Sequence, residues 1–179
     1  MSLQATTWQT VGPYFRIGLE HLNTLRIAPA DTPGEQVSVE GRVLDGNGKP
    51  VPDAVVEIWQ ADAKGNYSGA SDFRGFGRFP TNAEGGFAFS TIKPGAVPGS
   101  GGRMQAPHLA VRLMMRGLLK DLVTRMYFPG EDLAADSVLQ LVPEPRRATL
   151  IAQRANGFGR AFSWEIKLQG ERETVFFDC

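Results

Sequence analysis

Apolar and polar residues alternate along two segments near opposite ends of the chain, and this alternation is the feature that most restricts the fold. In QVSVEGRVL (36–44) three valines alternate with polar residues, and in FSWEIKL (162–168) Phe162, Trp164 and Ile166 do the same. Successive side chains of a β-strand point to opposite faces of a sheet. Both segments are therefore predicted to be strands with one buried face and one face in water.

Short apolar segments separated by turn residues extend the same pattern through most of the chain. Turns are predicted at DGNG (45–48) and NAEGG (82–86), because glycine and asparagine adopt positive φ at low cost. The 21 glycines and 12 prolines fit a turn-rich, all-β domain. Six or seven strands at this spacing predict an antiparallel β-sandwich. The remaining predicted strands are AVVEIWQA (54–61), FAFSTI (87–92), HLAVRLM (108–114) and LVTRMYF (122–128).

Two regions depart from the strand pattern. Residues 1–35 contain Trp8 and Tyr14 but show no alternation, so they are predicted to be an N-terminal arm that precedes a sandwich domain at 36–179. The arm either packs on its own sandwich or docks on a partner chain, and the sequence favours neither decisively. A short helical excursion is predicted near 131–155, where PEPRRATLIAQR has prolines near a helix start.

Charge and apolar patterning exclude some classes of partner. Lysine plus arginine and aspartate plus glutamate number 19 each, and no long run of like charge is present. Nucleic acid and membrane are therefore not expected as partners. Neither a leader segment nor an apolar stretch of spanning length is found, so a cytoplasmic location is expected.

The polar residues alone indicate no reactive site. The chain has two histidines, His21 and His108, at a spacing far from that of a metal-binding pair, together with three tyrosines and one cysteine. Nucleophile elbows and calcium loops are missing as well. On these grounds His108 is interpreted as a hydrogen-bonded structural histidine and His21 as a surface residue.

Four segments, in this order along the chain, resemble the intradiol ring-cleaving dioxygenases. The resemblance covers roughly residues 10–179, and the two ends, QTVGPYFRIGL and GERETVFFDC, resemble the non-catalytic alpha chain of the two-chain members. The fold that it implies is the sandwich already predicted from the alternation. The four segments are VVEIWQADAKGNYSG (55–69), FSTIKPGAVPG (89–99), APHLAVRL (106–113) and TRMYFPGEDLAADSVL (124–139).

The resemblance implies that half of a metal site has been lost. Catalytic chains of the family hold ferric iron with two tyrosines and two histidines, because phenolate oxygens suit this hard cation. By resemblance, these four positions are Tyr67, Val97, His108 and Ala110, which together we call the vestigial site. Valine and alanine have no side-chain lone pair. The expectation is that this chain binds no iron and has no catalytic residue, and that a beta subunit binds the ferric iron of the assembled enzyme.

The same resemblance implies a role for this chain beside that beta subunit. In such a hetero-oligomer, O2 opens the ring of 3,4-dihydroxybenzoate to 3-carboxy-cis,cis-muconate, and the alpha chain lines the substrate pocket. The positions of this sequence that match the contributing segments are Thr10, Gly12, Pro13, Tyr14 and Arg116. A Gly-Pro backbone can approach a ligand closely, and a guanidinium suits a substrate carboxylate. Gly12-Pro13 as a plain turn and Arg116 as a solvated loop tip are the alternatives.

Two other functions compete with this hypothesis. A non-enzymatic β-sandwich binding module would share the GRV-turn-PV hairpin, but it needs neither the aromatic arm nor the ETVFFD end. A self-sufficient catechol dioxygenase would need the ligands that positions 97 and 110 lack.

Overall fold

A computed structural model describes residues 4–67, 73–155 and 159–178 of the chain. It contains two four-stranded sheets, with strand orders β4-β1-β10-β9 and β3-β2-β7-β8, and a two-stranded ribbon, β5-β6. Of the segments that carry the family resemblance, Ser68, Gly69 and Cys179 lie outside the described residues. The strands are β1 (Gln36–Leu44), β2 (Val55–Trp59), β3 (Phe76–Pro80), β4 (Gly86–Ile92), β5 (Val97–Pro98), β6 (Met104–Gln105), β7 (His108–Met114), β8 (Leu122–Tyr127), β9 (Gln153–Arg154) and β10 (Ala161–Lys167).

The alternation that predicted an all-β sandwich is confirmed in detail. The three valines of β1 are buried while the intervening Ser38 and Glu40 are exposed, and in β10 Phe162, Trp164 and Ile166 are buried. Apolar side chains of both sheets meet in one core. Full burial of one such side chain contributes roughly 1.5–3 kcal/mol, so matching the faces of two sheets is the main source of stability.

One strand pairing and four strands, β3, β5, β6 and β9, were not predicted from the sequence. β1 pairs with β10 in parallel, in an otherwise antiparallel arrangement of the named strands. Alternation identifies which face of a strand is buried but not the direction of its neighbour. β3, with sequence FGRFP, contains glycine and proline, which are uncommon in strands.

The predicted helical excursion is short. One α-helix, α1 (Glu144–Arg147), lies between the 3-10 turns Leu139–Leu141 and Ala148–Leu150. Leu150 is fully buried, and the indole N–H of Trp164 in β10 donates a 3.0 Å hydrogen bond to the Thr149 carbonyl. This excursion is therefore anchored to the sandwich by both packing and a hydrogen bond.

The N-terminal 35 residues divide into two parts with different surroundings. Ile27 and Ala28 are buried in the main core, and the Ile27 N–H donates to the Ser90 carbonyl at 2.9 Å. Earlier residues, among them Trp8 and Tyr14, leave large apolar side chains in water. The domain boundary at residue 35 and the docking of residues 1–35 on a partner chain stay predictions. No helix among the described residues is both long and apolar enough to cross a membrane.

Candidate functional site

Strand register places two of the vestigial positions on the same face of one sheet. His108 and Ala110 are two residues apart in β7, while Leu109 between them points into the core. In β8, Tyr127 lies directly opposite His108 and Arg125 directly opposite Ala110. Directly opposed residues of an antiparallel pair share a face. His108, Ala110, Arg125 and Tyr127 therefore form one cluster on the side of this sheet that faces away from the core.

Tyr67 and His108, the two retained donors, contact each other. The Oη atom of Tyr67 lies 3.5 Å from Nε2 of His108, and Nδ1 of His108 lies 2.7 Å from the carbonyl oxygen of Ala106. A carbonyl oxygen only accepts hydrogen bonds, so Nδ1 is assigned the proton and donates it. Nε2 then accepts a weak hydrogen bond from the Tyr67 hydroxyl.

Both retained donors are neutral at neutral pH. Burial, followed by the positive charge of Arg125, lowers the pKa of His108 from 6.5 to about 4. Burial raises the pKa of Tyr67 above its ordinary value of 10, although the charge of Arg125 acts in the opposite direction. A tyrosine binds ferric iron as phenolate, so this surrounding favours the protonated hydroxyl over the form that a metal requires.

Arg125 is the centre of a polar network behind this pair. Its Nη1 donates a 2.6 Å hydrogen bond to Oε1 of Gln105 and lies 3.5 Å from Oη of Tyr127. Tyr127 is fully buried and donates to the carboxylate of Asp136 at 3.2 Å. Burial raises the pKa of Tyr127 to about 12, so this hydroxyl stays protonated and remains a donor.

The buried carboxylate of Asp136 accepts hydrogen bonds at the inner end of this network, and the sequence analysis did not identify this residue. Its side chain is 0% exposed, and its two oxygens also accept backbone N–H bonds from Ala106, Val138 and Leu139 at 2.8–2.9 Å. A carboxylate with this many donors is well solvated by the protein. The available signal was an aspartate followed by Ser-Val-Leu, which is typical of a residue that caps the start of a helical turn.

Two of the predicted substrate-lining residues, Thr10 and Arg116, lie close together although they are far apart in the sequence. The Thr10 hydroxyl accepts a 2.8 Å hydrogen bond from the N–H of Gly117 and lies 3.5 Å from the Met115 carbonyl oxygen. Arg116, between these two residues, is 75% exposed and forms a 2.7 Å ion pair with Asp53. The structure thus brings Thr10 beside the turn that carries Arg116.

Other contacts fix the same part of the arm. Arg16 pairs with the carboxylate of Asp53 and donates to the Pro52 carbonyl. The ammonium of Lys120 lies 4.8 Å from the centre of the Trp8 ring, a cation–π contact. The arm is therefore attached to the 115–120 turn through more than one side chain.

Gly12, Pro13 and Tyr14 lie at the surface of the arm. Pro13 begins a 3-10 turn that ends at Phe15, and Tyr14 is 78% exposed. Gly12 has an extended backbone with φ of −81°, and a Cβ atom there would meet nothing within 4 Å. No contact with the described residues therefore requires glycine at position 12. We call Thr10, Gly12, Pro13, Tyr14 and Arg116 the arm patch.

Comparison with known proteins identifies the family. The sequence model of a family described as dioxygenase matches residues 10–170, which is most of the chain. The chain belongs to the intradiol ring-cleaving dioxygenase family. Membership of this enzyme family explains the β-sandwich and the helical segment between β8 and β9. It also argues against the alternative of a non-enzymatic binding module.

Individual relatives within the family are similar over different lengths. The alpha chain of protocatechuate 3,4-dioxygenase from Pseudomonas putida is 42% identical, over 98% of this chain and 97% of the relative. The beta chain of protocatechuate 3,4-dioxygenase from Burkholderia cepacia is 40% identical, over 79% of this chain and 67% of the relative. The dioxygenase domain of a dioxygenase carbohydrate-binding fusion from Streptomyces sp. SirexAA-E superimposes with a TM-score of 0.67 at 28% identity, covering 86% of this chain and 89% of that domain.

The residues at the vestigial site of this intradiol dioxygenase chain do not fit a ferric ion. Val97 is buried and Ala110 has no donor, while Tyr67 and His108 bind each other in their neutral forms. The guanidinium of Arg125, directly opposite Ala110, adds positive charge where a metal site needs negative charge. Across the part of the chain that the structure describes, no group of three or more histidine, cysteine, aspartate or glutamate side chains could hold a metal.

Proposed function

We propose that this chain is the alpha subunit of a protocatechuate 3,4-dioxygenase and that it shapes the substrate pocket of an iron-binding beta subunit. The assembled enzyme would use O2 to open the ring of 3,4-dihydroxybenzoate to 3-carboxy-cis,cis-muconate. The observation that carries this proposal is the contact between Tyr67 and His108 beside two apolar ligand positions, in a chain similar from end to end to an alpha chain. The beta subunit's ferric iron would supply activation of the catechol ring when bound.

Arg116 would orient the carboxylate of the substrate. Its side chain is 75% exposed, and Nη2 makes the 2.7 Å contact with the carboxylate of Asp53. A guanidinium has five N–H donors in a planar fork, so the remaining edge can donate two parallel hydrogen bonds to a carboxylate. Asp53 would then hold the Arg116 side chain in place while leaving a binding edge in water.

Gly12 and Pro13 would form the wall closest to the substrate. Because no residue in the described part of the chain requires glycine at position 12, the absence of a side chain there is explained by a group that approaches from outside. Pro13 has no N–H and fixes its own φ, so the backbone at this point is both thin and stiff. These are the properties expected of a segment that borders another subunit's pocket.

Exposed apolar groups around the arm patch fit an interface with a folded partner. Trp8, Tyr14 and Leu119 are all more than half exposed, and aromatic residues are enriched where protein surfaces meet. The likeness of this chain to a beta chain as well as to an alpha chain supports a partner with the same sandwich fold. Two related sandwiches can then pair across a pseudo-twofold axis.

Oxygen uptake with purified subunits tests the proposal. This chain and a candidate beta chain would each be assayed alone and after mixing, with 3,4-dihydroxybenzoate as substrate. We expect no turnover by this chain alone and turnover in the mixed complex that exceeds that of the beta chain alone. Turnover by the isolated chain, or no effect of this chain on a partner that it binds, would contradict the proposal.

A further inference from the structure

The two apolar positions of the vestigial site lie opposite the two members of a single hydrogen bond. Val97 in β5 is the cross-strand partner of Gln105 in β6, and Ala110 in β7 is the cross-strand partner of Arg125 in β8. Nη1 of Arg125 donates to Oε1 of Gln105 at 2.6 Å. The side chains opposite positions 97 and 110 are therefore hydrogen-bonded to each other.

Small residues at 97 and 110 are what this arrangement requires. Directly opposed residues on one face of an antiparallel pair have Cβ atoms about 4.5–5.5 Å apart, so a large side chain at one position competes for space with its partner. Alanine at 110 leaves room for the long side chain of Arg125, and valine at 97 leaves room beside Gln105. Metal ligands at 97 and 110 would extend into the same region.

Buried groups also contact Nη1 of Arg125, the nitrogen that donates to Gln105. Its Nη1 also lies 3.5 Å from Oη of Tyr127, whose hydroxyl donates to the buried carboxylate of Asp136. The Asp136 charge balances the guanidinium within the same network, so the cation is accommodated without a metal.

We propose that the Arg125 guanidinium, held by Gln105 and Tyr127, is the resident cation of the vestigial site and excludes iron from it. Loss of the two ligands at 97 and 110 is then only part of the change from an iron site to a metal-free site. The Arg125 guanidinium also occupies the space of the metal ion and supplies a positive charge in its place. Restoring the ligands without removing Arg125 should not restore iron binding. This inference rests on the proposed function in one respect, the assignment of positions 67, 97, 108 and 110 as former ligand positions, but its test measures metal binding by this chain alone and not turnover with a beta subunit.

Iron loading of three full-length variants tests the inference. V97Y/A110H would be compared with V97Y/A110H/R125Q and with V97Y/A110H/R125K, which keeps the charge. Each protein would be loaded with ferrous salt in air, followed by measurement of bound iron and of the visible tyrosinate-to-iron absorption. We expect one iron per chain only in the R125Q protein, with at least tenfold weaker binding in the other two. Equal iron in V97Y/A110H, or none in a folded R125Q protein, would overturn the inference.

A second pair of variants avoids a large side chain at the buried position 97. A110H and A110H/R125Q keep Val97 and present three donors, and Co2+ binding can be followed by its visible spectrum. We expect at least tenfold tighter Co2+ binding when Arg125 is replaced. A110H/R160Q removes the same charge from the residue just before β10, next to the other sheet, and should bind Co2+ as A110H does. Equal Co2+ affinity of A110H and A110H/R125Q would show that Arg125 does not exclude metal.

Discussion

The Thr10 hydroxyl accepts a 2.8 Å hydrogen bond from the backbone N–H of Gly117, so the N-terminal arm is joined to the turn that carries Arg116. The two residues are 107 positions apart in sequence, and the Trp8–Lys120 contact lies in the same region. All of these contacts are made within one chain. Thr10 and the turn of Arg116 are therefore held together before any partner binds, which lowers the entropic cost of forming a pocket with them.

Arg116→Ala should weaken binding of the carboxylated substrate in the assembled enzyme. A hydrogen bond to a charged group contributes about 1.5–3 kcal/mol, which corresponds to a rise in KM of roughly 10- to 150-fold. Catechol, which has no carboxylate, should show no such change. Steady-state oxygen uptake with both substrates measures the difference, and Arg116→Lys should recover part of the loss because it keeps the charge but not the planar fork.

Arg112→Ala is the matched control for this experiment. Arg112 is also exposed and also forms an ion pair, at 2.8 Å with Asp121, but it does not belong to the arm patch. Its replacement should leave KM for 3,4-dihydroxybenzoate unchanged. Similar increases in KM for Arg112→Ala and Arg116→Ala would remove the specific role assigned to Arg116.

Thr10→Val should loosen the attachment of the arm without unfolding the sandwich. The substitution keeps the shape of the side chain and removes a hydroxyl whose hydrogen bond contributes about 0.5–1.5 kcal/mol, so KM should rise about threefold. Thr10→Ser retains the hydroxyl and should behave as the natural chain does. Limited proteolysis of the isolated subunit provides a second measurement, since the arm of Thr10→Val should be cut faster. Equal cutting rates for both variants would count against the attachment.

The buried histidine predicts a specific dependence of stability on pH. The pKa of His108 in the folded chain is lowered to about 4, so between pH 6.5 and 4 the unfolded chain binds more protons than the folded chain. The contribution of His108 to the free energy of unfolding is therefore fully present above pH 6.5. It falls by roughly 3 kcal/mol in all as the pH decreases towards 4. Thermal unfolding of the natural chain and His108→Gln across this range measures the effect, and the difference between them should shrink at low pH.

His21 offers the control for the pH experiment. It is exposed, and it is the other histidine of the chain, so His21→Gln should retain the full slope between pH 6.5 and 4. If His21→Gln and His108→Gln flattened the slope equally, the assignment to His108 would be wrong.

Asp136→Asn should destabilise the chain strongly. An asparagine presents an amide group with donors to backbone N–H groups that need acceptors, and it removes a charge that balances Arg125. Loss of such a buried network typically lowers the free energy of unfolding by about 3 kcal/mol or more. Urea unfolding monitored by circular dichroism measures this. Asp132→Asn, at an exposed position four residues earlier, should change the free energy of unfolding by less than about 0.5 kcal/mol.

Much of the fold could be predicted from the sequence because burial of one face leaves a two-residue period in the sequence. β1 and β10 show it clearly, and the position of each predicted strand follows from it. The parallel pairing of these two strands could not be predicted in this way, since side-chain pattern does not report strand direction. β3 was missed because Gly77 and Pro80 weaken its strand signal.

Individual residues of the candidate site could be proposed from the sequence. Contacts that depend on how the strands pair could not. The assignment of positions 97 and 110 as lost ligands, and of the arm patch as substrate-lining, comes from the family resemblance and stays a prediction. The pairing of Arg125 with Gln105 depends on the register of β5-β6 and β7-β8, which the sequence does not state. Asp136 joins this network only because the chain after β8 folds back towards Ala106.

The iron content of this chain, alone and in complex with a beta chain, tests the central claim most directly. Each preparation would be analysed for iron per polypeptide and for the visible tyrosinate-to-iron absorption. We expect a colourless isolated chain without stoichiometric iron, and a coloured complex with one iron for each pair of chains. One ferric ion per isolated chain, or two per pair in the complex, would contradict it, because Tyr67 and His108 would then belong to a working metal site.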